Sequence, residues 1–285
     1  SINFNYLSYW KTDIVETKNN EYVIAYYNSI VRISEDGNLI WVKQYGRYNN
    51  GKFIGLVFFS IEELNDTDLI VSGNAWAGSS NGFEAMVARL DSSGNIKWMK
   101  VYPVRDLIFS EIEPVGNSGF ILGCYSGGIG KWGIHPNVAV IMRLDLRGEI
   151  VWQRSYFSTE SSTKVGPTSR SPYFDFCLTD DGIIVTRYVA NTEYGGSSIF
   201  KIDLSGGIIW SKSFHSVVHG GVTDLMALTQ LSNGNIAIVG RTTEFTEYTH
   251  HGLSDFNTIA TVFYENGNFL RIKVFGRNIE DSESH

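Results

Sequence analysis

A segment that occurs five times constrains this chain more than any other feature, because a repeat of roughly constant length folds as a series of similar units. Its first copy reads Val31-Arg32-Ile33-Ser34-Glu35-Asp36-Gly37-Asn38-Leu39-Ile40-Trp41-Val42-Lys43-Gln44-Tyr45. The second runs from Ala88-Arg89-Leu90-Asp91 through Gly94 to Trp98-Met99-Lys100-Val101-Tyr102. The third runs from Met142-Arg143-Leu144-Asp145 through Gly148 to Trp152-Gln153-Arg154-Ser155-Tyr156, and the fourth from Phe200-Lys201-Ile202-Asp203 through Gly206 to Trp210-Ser211-Lys212-Ser213-Phe214. A decayed fifth copy keeps Gly267 and ends Lys273-Val274-Phe275, with Arg271 where the tryptophan belongs. Glycines 37, 94, 148, 206 and 267 lie 57, 54, 58 and 61 residues apart, which leaves room for four strands and one long loop per unit.

Each unit reads as strands A to D. Strand A is taken to open near an aspartate, at Asp13, Asp106, Asp175 and Asp224, with Gly55 at the matching place in the second unit. A turn rich in Asn, Asp, Ser and Gly follows, and then an apolar run such as Leu69 to Gly73 or Ile236 to Gly240, as for a strand buried on both faces. Strand C carries Arg-Leu-Asp and turns into D through Asp-x-x-Gly, where glycine supplies a positive φ. Alternation puts Trp, Lys and Tyr of strand D on one face, so the tryptophan is expected to dock on the next unit.

Charged residues make up 19% of the chain and aromatics 14%, with 29 Gly and 5 Pro, a balance that suits short strands and tight turns. The formal charge of -7 gives no basic footprint, so nucleic acid is excluded as an expected partner. No apolar run is long enough to cross a bilayer, so no membrane insertion is expected. Cys124 and Cys177 are too few for a disulfide framework and read as small core residues. The compartment stays open, with an extracellular or surface placement favoured.

The signature Leu-Asp-x-x-Gly-x-Ile-x-Trp-x-Lys-x-Tyr resembles the tryptophan-docking repeat of PQQ-type and related bacterial and archaeal β-propellers. The resemblance covers units one to four well and the fifth poorly. It implies an all-β, five-bladed β-propeller with four antiparallel strands per blade. Nothing aligns with a quinone pocket, so no cofactor is expected. One domain over residues 1–285 is expected, with units at about 10–46, 53–102, 106–157, 173–214 and 222–276 and a flexible tail at 277–285. Residues 2–8 are expected to add to the edge of the fifth blade.

In this strand order the B-to-C loops and D-to-A connections share one face, where the length variation falls and where binding residues usually sit. Four of its loops bring Trp76, Trp132, Tyr194 and Tyr248 among Gly, Ser and Asn, which suits stacking on a sugar ring; the alternative is that each ring pins its own loop. His215, His219, His250 and His251 map to the same face and are candidate metal ligands, against solvated loop histidines. The strand-A aspartates, with Asp13, Asp106 and Asp175 foremost, are candidate catalytic carboxylates, against a role in tying strand ends to neighbouring backbone. Nucleophile elbows, phosphate loops and zinc-protease motifs are absent.

Three readings follow. The leading one is a non-enzymatic module that binds a protein or glycan with its long-loop face. The alternative is a glycoside-active enzyme with carboxylates at the channel mouth, and the third a structural assembly module.

Overall fold

The computed structural model describes residues 12–49, 52–76, 84–105, 107–126, 129–130, 133–134, 138–157, 174–190, 195–215, 223–242, 257–275 and 283–284. Each repeat folds as an antiparallel sheet in the spatial order of its strands, giving the five-bladed β-propeller expected from the repeat. The first sheet is β1 (Thr12–Glu16), β2 (Tyr22–Tyr26), β3 (Ser29–Ile33) and β4 (Leu39–Gln44). A short β5 (Gly46–Asn49) then precedes the second sheet of β6 (Lys52–Glu63), β7 (Leu69–Trp76), β8 (Glu84–Leu90) and β9 (Ile96–Arg105).

The third sheet is built from β10 (Leu107–Pro114), β11 (Phe120–Ser126), β14 (Val138–Leu144) and β15 (Ile150–Phe157). The pair β12 (Ile129–Gly130) and β13 (Gly133–Ile134) lies in its B-to-C loop. The fourth sheet is β16 (Phe174–Thr179), β17 (Gly182–Ala190), β18 (Gly195–Ile202) and β19 (Ile208–His215). The fifth is β20 (Thr223–Gln230), β21 (Ile236–Thr242), β22 (Asn257–Phe263) and β23 (Phe269–Phe275), extended by β24 (Glu283–Ser284). Residues 2–8, expected at the edge of the fifth sheet, lie outside the described residues.

The chain divides into two compact units, Ser1–Ser126 with Ile141–Val151, and Gly127–Val140 with Trp152–His285. In the first, one apolar cluster joins Val23, Ala25 and Ile30 of the first sheet to Phe58, Ile61, Val71, Met86 and Leu90 of the second. In the second, Cys177, Ile184 and Ile199 of the fourth sheet pack on Leu225, Ile238, Ile259 and Phe263 of the fifth. The core therefore lies between sheet faces, which is why strand B is apolar on both sides. Cys124 and Cys177 are free and buried.

Four of the five C-to-D turns are closed by an acid or hydroxyl of their own, Ser34 in the first and an aspartate in the next three. Oδ1 of Asp91 accepts from the Ser93 and Asn95 amides at 2.9 and 2.8 Å, and Asp145 and Asp203 repeat the arrangement two and four residues on. Hydrogen bonds from Asn95 hold the Asp91 carboxyl below its ordinary value, so this turn is favoured above that value and loosens as acid is added.

Onto four of the five turn glycines lies the aromatic face of the preceding strand D. A Cβ built on Gly94 would stand 2.9 Å from the Trp41 ring and 3.0 Å from the Tyr45 hydroxyl. The same test meets Trp98 at Gly148, Trp152 at Gly206 and Trp210 at Gly267. Polar atoms complete the dock: the Tyr45, Tyr102 and Tyr156 hydroxyls donate to the carbonyls of Gly94, Gly148 and Gly206 at 2.7, 2.9 and 2.8 Å. The Trp41, Trp152 and Trp210 indoles donate to the carbonyls of Ser92, Leu204 and Glu265, each two residues before the glycine. The expected docking role of the tryptophan holds, with one shift of weight. The tryptophans are half-buried or nearly so, whereas Tyr102 and Tyr156 are 4% and 8% exposed.

Gly37 and Gly94 share φ values of +79° and +77°, but among the described residues only Gly94 has a ring against it. Gly94→Ala therefore unfolds at lower urea than Gly37→Ala, by about 1–3 kcal/mol, since both carry the same backbone strain and one adds overlap; equal losses would mean that the dock contributes little. Burial pushes the Tyr45 and Tyr156 phenols from 10.0 up to about 12. Their contribution is thus full below pH 10.0 and lost as pH rises through about 12, which an alkaline unfolding titration reads directly.

Candidate active site

The strand-A carboxylates sort into two kinds once the sheet registers are known. Counting back from the A-to-B turn, Asp13 pairs with Ala25, Ser60 with Ser72, Glu111 with Gly123, Asp175 with Thr186 and Ala227 with Val239. Asp13, Ser60, Glu111, Asp175 and Ala227 are therefore the equivalent residues. Asp224 lies nearer the N-terminal end of its strand, so the expected set of Asp13, Asp106, Asp175 and Asp224 is not a set in the fold. The cause is a longer strand that also carries a β-bulge: Asp224 stands three residues before Ala227, one of them inserted by the register shift between Leu225 and Ala227 and two by the earlier start of β20, so counting from the strand start misplaces it.

At this equivalent position the side chain ties one sheet to the next. Asp13 Oδ2 accepts the Ile61 amide at 2.9 Å, Ser60 Oγ the Ile112 amide at 3.4 Å and Asp175 Oδ2 the Leu228 amide at 2.7 Å. Beyond the reach of β5, strand A is the free edge of its sheet, and these acceptors satisfy amides that no neighbouring strand covers. Asp13 and Asp175 are therefore struts. Asp224 is fully buried and paired across β20 and β21 with Arg241, whose Nε lies 2.9 Å from Oδ2. Asp106 lies outside the described residues.

Two residues further along, on the same side of the strand, stand Val15, Glu62, Glu113, Cys177 and Thr229. Val15 packs against the first core cluster and Cys177 belongs to the second. Glu62 and Glu113 thus put carboxyl groups where two of the three sister strands put apolar side chains, the third carrying the exposed Thr229. Burial first, then the charges of Asp13 and Glu113, push Glu62 from 4.5 up to about 7. A carboxylic acid that keeps its proton near neutrality beside other carboxylates can act as a general acid. Sequence reasoning missed both glutamates; the signal was an acid inside an apolar inner strand, as in Phe59-Ser60-Ile61-Glu62.

A cavity of ≈ 390 Å³ opens elsewhere, among the A-to-B turns of the second and third sheets, lined in part by Glu63, Asp66, Arg89 and Asn117. Its charged groups are engaged: Asp66 pairs with Arg89, and Glu63 Oε2 accepts the Lys18 amide at 2.8 Å. It offers no acid–base pair comparable to Glu62 and its neighbours.

The remaining candidates fall outside what the structure describes. Trp76 ends β7 and His215 ends β19, and only their backbone is placed. Trp132, Tyr194, Tyr248, His219, His250 and His251 lie outside the described residues. Among the described residues no group of three or more His, Cys, Asp or Glu could hold a metal ion, and no helix is long and apolar enough to cross a membrane.

No protein-family model matches the chain, and no curated protein matches it. Solved structures do. A Bacteroides caccae protein of unknown function is 11% identical, with 93% of this chain and 81% of that one covered and a TM-score of 0.54. A thermostable family-43 glycoside hydrolase is 10% identical over 94% of this chain and 93% of its own, with a TM-score of 0.47. A Penicillium chrysogenum α-L-arabinanase is 12% identical over 95% and 94%, with a TM-score of 0.49. At such identities the likeness is one of fold. The resemblance to a tryptophan-docking, PQQ-type repeat gains no family match, and the coarser likeness to β-propellers stands. The expectation of a non-enzymatic binding module is corrected in favour of its alternative: a half-buried carboxylic acid, Glu62, keeps its proton near neutrality on an inner strand, and Trp132, Tyr194 and Tyr248, on which that expectation rested, lie outside the described residues.

Because the folded state raises the Glu62 pKa, its stabilising share is full below pH 4.5 and lost as pH rises through about 7. Glu62→Gln accordingly raises stability at pH 8 by roughly 1 kcal/mol, after allowance for solvent screening, and gives no gain at pH 4. Thermal melts of the two proteins at both pH values check this, and an unchanged melt at pH 8 would mean that the carboxyl is not strained.

Proposed function

We propose that this chain is a glycoside-active enzyme whose carboxyl groups lie on the inner strands β6 and β10. The observation that carries the reading is Glu62, held protonated up to about pH 7 by burial and by the neighbouring Asp13 and Glu113 charges. Hydrolysis of a glycosidic bond needs two carboxyl groups in unlike environments, one giving a proton and one working as a base or nucleophile. Glu62 is assigned the first role and Glu113 the second. Glu62 protonates the departing glycosidic oxygen. Glu113 takes the proton of the water whose oxygen bonds to the anomeric carbon, and a final proton exchange with solvent restores both groups. Asp13, tied to the Ile61 amide, contributes charge and position.

The sugar as substrate is supported by composition, through loop segments that set Trp76, Trp132, Tyr194 and Tyr248 among Gly, Ser and Asn. The solved glycoside hydrolases share the fold and lend no residue to this assignment.

Release of reducing sugar from a panel of plant and bacterial polysaccharides tests the reading. Glu62→Gln is expected to lower the rate by about 10²-fold or more, and Glu113→Gln likewise. Asp175→Asn lowers the melting temperature and leaves the rate in place. The wild-type rate declines above about pH 7, where Glu62 loses its proton. A panel with no substrate, or full activity in Glu62→Gln, would sink the assignment.

A further inference from the structure

The cavity among the A-to-B turns of the second and third sheets belongs to this junction and not to the repeat. At two other junctions the cation of strand C crosses to the next C-to-D turn. Arg32, paired with Trp41, donates from Nη1 to the Ser92 carbonyl at 2.8 Å, and Lys201, paired with Trp210, donates to Glu265 Oε1 at 3.0 Å. Ser92 and Glu265 stand two residues before the turn glycines Gly94 and Gly267, where the third sheet has Leu146 before Gly148. Arg89, paired with Trp98, makes no such bond among the described residues. Asp66 and Asp68 of its own sheet hold it back, with Asp68 Oδ2 lying 2.6 Å from Nε. The cavity of ≈ 390 Å³ has both Arg89 and Leu146 in its wall.

That wall holds polar groups with hydrogen-bonding capacity to spare. Arg89 spends Nε and Nη2 on Asp68 and Asp66, and its Nη1 has no partner among the described residues. Asn117 accepts from Asn65 Nδ2 at 2.7 Å through Oδ1, which leaves its own Nδ2 as a donor. Glu63 accepts the Lys18 amide through Oε2, while its Oε1 is buried without a partner, a state that costs free energy until a donor arrives. The charges cancel: Glu63, Asp66 and Asp68 are matched by Lys18, Arg89 and Lys97, the last of which lies 2.7 Å from Asp68. Pro114 and Leu146, the latter 43% exposed, add apolar surface.

We propose that this cavity binds one sugar ring of a neutral oligosaccharide. A wall of balanced charge gives an ion no net attraction. Unspent donors and acceptors side by side match the neighbouring hydroxyl groups of a sugar, each of which both gives and accepts. One hydroxyl donates to Glu63 Oε1, its neighbours accept from Arg89 Nη1 and Asn117 Nδ2, and the C–H face of the ring lies on Pro114 and Leu146, the usual mix of apolar lining and a few placed polar groups. The site binds and does not hydrolyse. It goes beyond the proposed activity, shares with it only the class of ligand, and stands without any catalytic role for Glu62.

The test is a titration of the isotope-labelled full chain with cello-, xylo-, arabino-, manno- and galactotetraose, followed by amide NMR spectra. Saturable shifts of the Gly116, Asn117 and Leu146 amides are expected with at least one of these sugars. Asn117→Ala is expected to weaken that binding about tenfold or more, and Leu146→Asn, which removes apolar wall, to weaken it as well. Asn233→Ala is the matched control and keeps binding intact: Asn233 follows Gln230, which pairs with Ile236, by the same interval at which Asn117 follows Pro114, which pairs with Phe120. Melts establish that each variant is folded. Glu62→Gln also keeps binding, so failure of the proposed catalysis and failure of this site are separate results. Absence of saturable shifts with every sugar, equal binding by Asn117→Ala and Asn233→Ala, or loss of binding in Glu62→Gln overturns the proposal.

Discussion

The ring laid on a turn glycine is the contact on which the rest of this fold depends. A four-stranded sheet with apolar residues on both faces cannot stand alone in water, and its faces must be covered by neighbours built the same way. The dock sets the spacing of those neighbours from outside the core. Glycine is needed at the turn twice over: for a φ near +77° at Gly94, and because the Trp41 ring occupies the space a methyl group would take. The indole and phenol each find a backbone carbonyl, so large rings are placed at the sheet margin without leaving a polar atom unmet.

This dock was legible in the sequence because every part of it is local and repeated. Asp91, Gly94, Trp98, Lys100 and Tyr102 fall within one hairpin, and their spacing survives four times over. The inner strands were less legible for a definite reason. A bulge at Phe59 or Met226 adds one residue to one strand of a pair and leaves no mark in the composition. Strand β20 also starts two residues earlier than β1 does, so alignment by strand starts groups Asp13 with Asp224, which the registers place three residues apart. Glu62 and Glu113 were hidden because an acid between apolar residues reads, in one dimension, like any solvent-facing residue of an alternating strand.

Carboxyl groups of one chemical type thus do three jobs, set by surroundings. Asp91 accepts from two amides of its own turn and is held ionised. Asp13 and Asp175 accept an amide from another sheet and act as struts. Glu62, pushed up to about 7 by burial first and then by neighbouring charge, keeps its proton close to neutrality. The first two roles are repaid in hydrogen bonds. The third works against stability at neutral pH, which is the usual mark of a group kept for chemistry.

Why that group sits on β6 and not at the repeated aspartate follows from the mechanics of the repeat. Where Asp13, Ser60 or Asp175 forms the strut, its side chain is held as the acceptor of an amide on another sheet and cannot be exchanged without leaving that amide unmet. Two residues on, the side chain only fills space, by Val15 in the first core cluster and Cys177 in the second. A filling residue can be exchanged without undoing the tie between sheets. Placing a carboxyl there moves it into apolar surroundings at once, and the raised pKa of Glu62 follows from the packing already built for valine and cysteine. The repeat therefore supplies the low-polarity site, and divergence at one non-strut position in two of the five sheets places the carboxyl groups of Glu62 and Glu113 there.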